Sequence, residues 1–260
     1  MSDVFVVFGS SSDSHVYKPL VERLTKSGIS TEFRVLSAHK TPKDLRDALR
    51  DTNAEIFVAG AGLAAALPGV LASEEIKPVI GLPCEGAFSG MDSFLSCAQM
   101  PPDVPVITVG VGDIDAAVRL CNQFLHGLSR IVIVPKKTGE EKKYFDKCVA
   151  FMKENSIPHM VGRLPKKPEY TSVFIDFVKL GKKVPKHRGA VINVLVKEKT
   201  KKADAVKFFD SLQGTYCVGL NNYKNAALAA LSLVNLRHGH DQKILELRRS
   251  AAKKVMDANK

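Results

Sequence analysis

Short apolar segments alternate with longer amphipathic segments five times in the first half of the chain, and this alternation restricts the fold more than any other feature. The pattern predicts strands at Val4–Phe8, Glu32–Leu36, Glu55–Ala59, Pro78–Leu82 and Pro105–Val109. It predicts helices at Ser14–Ser27, Pro42–Arg50, Leu63–Ser73, Met91–Gln99 and Asp113–Leu125, with Thr41 as the N-cap of the second helix. Repeated strand–helix units form parallel sheets covered by helices on both faces. We therefore predict a flavodoxin-like three-layer α/β/α fold.

The second half repeats the same order of strands and helices in a shorter form. The segment 218–239, with the letters VGLNNYKNAALAALSLVNLRHG, resembles the segment 109–127, with the letters VGVGDIDAAVRLCNQFLHG. Both are read as strand, polar turn, Ala-Ala, apolar helix and His-Gly. Self-similarity of this kind indicates an internal duplication. We predict one domain at residues 1–128 and a degenerate repeat of it at 129–260 that ends in the C-terminal helix.

Composition limits the class of protein. The longest apolar run, at 56–72, is broken by glycines and a proline, so it cannot be one membrane-spanning helix. No basic segment precedes the first apolar run, so we expect no secretory signal. Five cysteines without a C-x-x-C pair are typical of free thiols in a reducing cytoplasm.

The positive charge lies in the second half. Residues 1–130 hold 11 Lys and Arg against 15 Asp and Glu, whereas residues 131–260 hold 27 against 12. These lysines are mixed with acidic residues and lack interleaved aromatic residues. We therefore interpret them as a solvated surface and not as a nucleic-acid patch.

Polar and small residues follow the first three predicted strands, where parallel sheets bind ligands. Gly9, Ser10, Ser12 and Asp13 follow the first strand at the start of a helix, which favours a phosphate and a ribose. The second loop carries Ser37, His39 and Lys40, and the third carries Gly60 and Gly62. Histidine exchanges protons near neutral pH. Taken alone, the serines could simply cap the next helix, and His39 could have a structural role. All three loops follow strands at the same edge of the sheet, and this favours a ligand-binding site.

Four segments together resemble the PurE family of purine biosynthesis. They are FGSSSD, SAHKTP, AGAGLAAALPG and GMDSFLSCAQMPPDVPV, and the resemblance covers about residues 3–127. The segment Lys224–Leu233 is similar to the family's C-terminal helix. The family contains aminoimidazole ribonucleotide carboxylases and carboxyaminoimidazole ribonucleotide mutases.

The resemblance implies roles for the matching residues. His39 is the expected general acid and base. The expected substrate-binding residues are Ser10, Ser12, Asp13, Ser37, Lys40, Gly62 and Leu67. It also implies that no metal or organic cofactor takes part, and that the substrates are a ribonucleotide and carbon dioxide, sheltered by Ala61, Ala64, Ala65 and Ala66.

The residues point in two directions on whether this chain resembles the carboxylases or the mutases of the family. Lys40 after Ser-Ala-His is characteristic of the enzymes that fix carbon dioxide directly, and Ala66 replaces the histidine that mutases usually carry before Leu-Pro-Gly. The segments LPGV and DSFLSCAQMP look more like the mutases. We favour direct carboxylation, with the mutase and a non-catalytic nucleotide-binding protein as alternatives.

Assembly and metal binding complete the expectations. The family forms octamers, so four tandem chains would fill eight positions as a homo-oligomer. We interpret His238 and His240 as residues of a helix C-terminal turn and not as metal ligands, because no cysteine or third histidine is near them.

Overall fold

The computed structural model describes residues 2–167, 169–212 and 214–258, and over these residues the chain forms a ten-stranded sheet flanked by helices. The strands are β1 (Val4–Phe8), β2 (Thr31–Val35), β3 (Ile56–Ala61), β4 (Val79–Pro83), β5 (Ile107–Thr108), β6 (Arg130–Ile133), β7 (Met160–Val161), β8 (Ser172–Lys179), β9 (Ala190–Val196) and β10 (Tyr216–Cys217). The helices are α1 (Ser14–Lys26), α2 (Pro42–Asp51), α3 (Ala66–Glu74), α4 (Met91–Ala98), α5 (Ile114–Leu125), α6 (Gly139–Glu154), α7 (Ala203–Asp210), α8 (Tyr223–Leu233) and α9 (Asp241–Asp257).

The strand order confirms the predicted fold class. Across the sheet the strands run β2-β1-β3-β4-β5-β10-β9-β8-β6-β7. The first five have the flavodoxin-like order 2-1-3-4-5. Among the described residues every strand pairing is parallel except that of β5 with β10, where Thr108 lies opposite Cys217.

The second half has the same strand order as the first, read from the opposite edge. Its five strands run β7-β6-β8-β9-β10, so the two halves meet at their fifth strands. The described residues between β7 and β8, and those between β8 and β9, form no helix, whereas the first half has α2 and α3 at the matching places. This arrangement supports a duplication with a shortened second copy; the domain boundary at residue 128 stays a prediction.

The core follows from the alternation of side chains across β1. Val4, Val6 and Phe8 face a core under α1 and α5, and this core continues under α6 and α8 of the second half. Phe5 and Val7 face a second core under α2 and α3. All five residues are fully buried, as expected for a strand covered on both sides. The sheet is therefore held rigidly beneath the loops at its edge.

Helix α9 extends the chain beyond the predicted last helix and returns to the first half. The predicted segment Lys224–Leu233 corresponds to α8, but seventeen further helical residues follow. The Arg248 guanidinium donates to the carbonyl oxygens of Ala72 at 2.8 Å and Ser73 at 3.2 Å, and also to that of Glu75, so it caps the end of α3. Helix α9 therefore connects the end of the second half to the first half.

Two further observations concern the whole fold. None of the helices over the described ranges is long and apolar enough to cross a lipid bilayer. All five cysteines are buried free thiols.

Candidate functional site

A cavity of about 390 Å³ opens at the carboxyl ends of β1 to β4, the edge where parallel sheets bind ligands. Four loops line it, one after each of these strands. All eight residues predicted to form the site lie around this one cavity: Ser10, Ser12, Asp13, Ser37, His39, Lys40, Gly62 and Leu67. The fold thus brings together side chains that are up to 57 positions apart in the sequence.

The first loop holds two serines and a carboxylate in a compact turn. The Ser10 hydroxyl accepts hydrogen bonds from the Ser12 N–H at 3.2 Å and from the Ser12 hydroxyl at 2.8 Å. Asp13 closes a short 3-10 turn, after which α1 begins, and its side chain is buried. Burial raises the pKa of Asp13, and the positive field of His15 and a hydrogen bond from Ser12 oppose the shift. The loop presents hydroxyls to the cavity next to a carboxylate that is poorly solvated.

The second loop is closed on itself by hydrogen bonds between Ser37 and Thr41. The Thr41 hydroxyl accepts from the Ser37 N–H at 2.9 Å, and the Lys40 N–H donates to the Ser37 hydroxyl at 3.2 Å. Thr41 is the N-cap residue of α2, as predicted, but its hydroxyl is engaged by Ser37 and makes no cap hydrogen bond to the helix. The closed loop leaves the side chains of His39 and Lys40 exposed at the cavity rim.

Two glycines at the end of β3 and in the third loop have different surroundings. A side chain at Gly60 would place its Cβ 2.1 Å from the ring of Phe8, and the Gly60 carbonyl accepts from the Gly9 N–H at 3.0 Å. A Cβ on Gly62 would lie 3.9 Å from the Glu85 carbonyl oxygen and 4.0 Å from Cys84, an ordinary contact distance, so a small side chain fits there beside the cavity. Leu63 has a φ of 54°, which delays the start of α3 to Ala66 instead of the predicted Leu63.

Small apolar residues form one wall of the cavity. Ala61 and Ala65 are buried, whereas Ala64 is exposed at the mouth. Leu67 is only 2% exposed and forms the floor where α3 begins. An apolar wall of this kind excludes water from whatever lies against it.

The fourth loop contributes residues that sequence analysis missed. Glu85 and Gly86 line the same cavity, directly after β4. Cys84 lies just before them, and burial raises the pKa of its thiol to about 12, so it stays protonated at neutral pH and is no nucleophile. Glu85 could have been found from its position just after the carboxyl end of a strand, because the same position identified His39.

Internal ion pairs occupy the carboxyl edge of the second half. Lys136 pairs with buried Asp176 at 2.6 Å, and Lys197 pairs with buried Asp204 at 2.7 Å. Lys182 pairs with Glu141 at 3.4 Å. Charges satisfied within the protein leave little to bind a ligand, which agrees with the prediction that this half retains none of the site loops.

The ring of His238, the first of the two histidines after α8, has acidic partners. The His238 ring contacts Glu55 at 3.1 Å and Asp241 at 3.2 Å, and so ties the turn before α9 to the first half. Within the described part of the chain, no group of three or more His, Cys, Asp and Glu residues could hold a metal ion.

The chain is similar to known proteins over the half that contains the cavity. A family model described as AIR carboxylase matches residues 3–133. An N5-carboxyaminoimidazole ribonucleotide mutase of Methanocaldococcus jannaschii is 44% identical over 108 residues, which cover 42% of this chain and 69% of that protein. A protein of the same name from Pyrococcus abyssi is 42% identical over 129 residues, covering 48% of this chain and 74% of its own. A crystal structure of Treponema denticola PurE covers 59% of this chain and 90% of its own, at 24% identity and a TM-score of 0.43.

Proposed function

Because the chain belongs to the AIR carboxylase family, we propose that it is a purine-biosynthesis enzyme that converts N5-carboxyaminoimidazole ribonucleotide into the isomer carboxylated on the ring carbon. The observation that carries this proposal is the convergence of the eight predicted residues on one cavity at the ligand-binding edge of the sheet. The relatives described above bear the mutase name, so they support this reaction and not the direct carboxylation that Lys40 and Ala66 favoured.

Substrate binding is assigned to the loops after β1, β2 and β3. Ser10 and Ser12 donate hydroxyls to the ribonucleotide at the start of α1, where backbone N–H groups and the helix dipole favour a phosphate. Asp13 accepts from the ribose hydroxyls. Ser37 and Lys40 face the carboxylate or the phosphate, and Gly62 with Leu67 forms the wall beside the imidazole.

His39 is assigned the proton transfers of the isomerisation. Loss of the carboxylate from the exocyclic nitrogen releases carbon dioxide and requires a proton on that nitrogen. The ring carbon then forms a bond to the carbon dioxide, and the proton left on that carbon must be removed. One histidine at the rim can donate the first proton and accept the second, so the reaction is balanced without an outside acid or base.

The alanine wall is assigned to the retention of carbon dioxide. Ala61, Ala64, Ala65 and Ala66 offer no hydrogen-bond partner to water between the two steps. A water-poor pocket keeps the released carbon dioxide beside the ring carbon and strengthens the electrostatic interactions around it.

Direct carboxylation of aminoimidazole ribonucleotide is the second candidate. Lys40 and Ala66 both line the cavity, so the two positions that separate the branches in sequence are in contact with the proposed substrate region. A lysine ammonium is a compact charge, whereas an arginine binds a carboxylate through two parallel hydrogen bonds. The site therefore carries one feature of the carboxylating branch within a chain whose relatives are named as mutases.

One experiment tests the proposal and separates the candidates. The protein is incubated with the carboxyamino isomer in bicarbonate-free buffer, and in parallel with aminoimidazole ribonucleotide plus bicarbonate. The ultraviolet absorbance of the carboxylated imidazole is followed in each. Rapid conversion of the isomer without bicarbonate supports the mutase. Turnover that occurs only with bicarbonate assigns the carboxylase, and no turnover of either substrate assigns a non-catalytic ribonucleotide-binding protein.

Assembly and location complete the proposal. We assign a homo-oligomer, with a tetramer of tandem chains as its form. The buried free thiols support a reducing compartment, and we place the enzyme in the cytoplasm.

A further inference from the structure

A second cavity, of about 340 Å³, lies at the amino ends of β8 and β9. The loop before β8 and the loop before β9 line it, and we call it the basic cavity. Its charged or titratable residues are Lys166, Lys167, Glu169, Lys186, His187 and Arg188. Because β5 and β10 are antiparallel, the basic cavity opens on the same edge of the ten-stranded sheet as the substrate cavity, several strands away.

The sequence around the basic cavity is strongly cationic. The segment 163–188 contains eight Lys and Arg against two Asp and Glu. One of the two acids, Asp176, lies further along β8 and is neutralised by Lys136 at 2.6 Å. The segment therefore carries a large excess of positive charge that its own acids do not balance.

The cations of the basic cavity lack ion-pair partners among the described residues. Lys166, Lys167, Lys186 and Arg188 take part in none of the salt bridges formed by residues 2–167, 169–212 and 214–258. At the opposite edge of the same half, by contrast, Lys136 after β6 and Lys197 after β9 are each paired with a buried acid. Several unpaired cations around one concave surface repel one another, and an anion placed among them removes that repulsion.

The single acid of the basic cavity is occupied elsewhere. The Glu169 carboxylate accepts from the Thr171 N–H at 2.8 Å and from the Thr171 hydroxyl, and it lies 3.6 Å from the Arg130 guanidinium. Burial raises the pKa of Glu169, but the hydrogen bonds from Thr171 and Ser172 and the charge of Arg130 outweigh burial and lower it overall. Glu169 is thus neutralised from outside the cavity and does not balance the lysines.

The remaining walls indicate a formed pocket and not a flat patch. Nε2 of His187 is buried without a hydrogen-bond partner within the described residues. A Cβ on Gly189 would lie 2.9 Å from the Glu169 carbonyl oxygen, so the absence of a side chain allows the two loops to meet. Phe174 and Val191, both buried, lie on the cavity's apolar side. A buried ring nitrogen without a partner is costly and can be satisfied by a ligand oxygen.

We propose that the basic cavity binds the di- or triphosphate group of a small molecule. Its four unpaired cations suit an anion that carries several charges on adjacent phosphates, and Arg188 can hold two phosphate oxygens at once. A volume of about 340 Å³ suits a compact ligand. A single-stranded nucleic acid stacks several bases on exposed aromatic rings; Phe174 in this cavity is only 4% exposed, and one exposed ring, Tyr170, lies beside it, so RNA enters the test below as a competitor. Neither the family match, which ends at residue 133, nor the proposed isomerisation involves these residues.

Titration calorimetry of the full chain at physiological ionic strength tests the proposal, with pyrophosphate and ATP as separate probes. We expect one site per chain for each probe. Equal affinity for the two identifies a site for the phosphate group alone, and tighter binding of ATP identifies a nucleotide site. The triple variant Lys166→Gln, Lys167→Gln, Lys186→Gln should weaken binding by at least about tenfold. A matched variant with the same loss of charge away from the cavity, Lys199→Gln, Lys202→Gln, Lys253→Gln, should bind as the parent does.

Four results would overturn the proposal. They are the absence of binding heat with either probe, an equal loss of affinity in both triple variants, loss of binding in Lys40→Gln, which lies in the substrate cavity, and displacement of pyrophosphate by a short single-stranded RNA. Circular dichroism of every variant confirms that it is folded. The single variants His187→Gln and Arg188→Gln, each weaker than the parent, place the anion within the cavity even if the triple variant is unstable.

Discussion

The phenol of Tyr216 in β10 donates a hydrogen bond to the carbonyl oxygen of Ala116 in α5, at 3.1 Å, and this contact joins the two halves of the chain. The same phenol oxygen accepts from Nε of Arg119 at 3.0 Å. Tyr216 is 2% exposed, and its burial raises the pKa of the phenol. The halves are therefore connected through a buried polar group that cannot be replaced by water.

Tyr216→Phe should lower the free energy of unfolding by about 1–3 kcal/mol, because it leaves Arg119 without its buried acceptor. Urea denaturation of the full chain measures the loss. Tyr17→Phe serves as control, since the Tyr17 ring packs on Phe8 and Phe33 and no hydrogen bond of its hydroxyl is seen among the described residues. Equal stability of the two variants would show that the Tyr216 contact does not hold the halves together.

His39→Asn should lower turnover by about 100- to 10,000-fold and leave ribonucleotide binding nearly unchanged, since it removes the only histidine of the four site loops. Steady-state kinetics and calorimetric binding give the two readouts. His126→Asn, at the exposed end of α5, is the matched control and should keep full activity. Activity of His39→Asn within a few-fold of the parent would remove His39 from the mechanism.

Gly60→Ala and Gly62→Ala should separate stability from function. At Gly60 the new methyl would overlap the Phe8 ring, so the variant should lose about 1–3 kcal/mol of stability. At Gly62 the methyl meets nothing closer than 3.9 Å, so the fold should be unaffected while the substrate affinity falls. Thermal unfolding and substrate titration of both variants check this, and the reverse pattern would contradict the structure of the third loop.

Asp13→Asn should raise stability at neutral pH and weaken ribonucleotide binding. Burial raises the pKa of Asp13 in the folded state, so folding favours the neutral form. The parent then loses stability as the pH rises above the unfolded-state pKa of about 3.9, until it passes the folded-state pKa. The stability difference between variant and parent should therefore vanish at low pH. Urea titrations across this range measure it; a variant that is less stable at neutral pH would contradict the argument.

The assembly should be a tetramer of four tandem chains of 28.3 kDa each, with a mass of about 113 kDa. Multi-angle light scattering measures it, and a monomer or an octamer of full chains would contradict the prediction. A fragment that ends at Gly127 should be insoluble or inactive, because it lacks Tyr216, the strand that pairs with β5, and Arg248, which caps α3. A soluble and active fragment would show that the first half needs none of these contacts.

The first half could be predicted from sequence because its signals are local. The five apolar segments match the observed strands to within about two residues, and the polar loops after three of them supply the site residues. In a parallel sheet the loops at one edge share one neighbourhood, so strand prediction alone brought His39 near Asp13. Glu85 was missed because only the first three loops of this edge were assigned a role in ligand binding, although the loop after the fourth strand lies beside them.

The second half was harder because long-range contacts decide it. Strand β8 contains Asp176, and a carboxylate is not expected in a buried strand. The structure explains it, because Lys136 from another part of the chain pairs with it. Helix α9 carries few buried residues, and it is fixed by the contact of Arg248 with α3 across the molecule. The hydroxyl of Thr41 could bond either to Ser37 or to the N–H groups that begin α2. It bonds to Ser37 because the second loop folds back on itself.

The junction of the fifth strands has a genetic consequence. In a dimer of identical subunits that meet edge to edge, every mutation at the contact occurs twice and must suit both copies at once. In this chain the contact joins Thr108 to Cys217, two different residues encoded at different places in one gene. Either side can accept a substitution while the other stays fixed, so the two halves are free to drift apart in sequence while inheritance keeps them permanently paired.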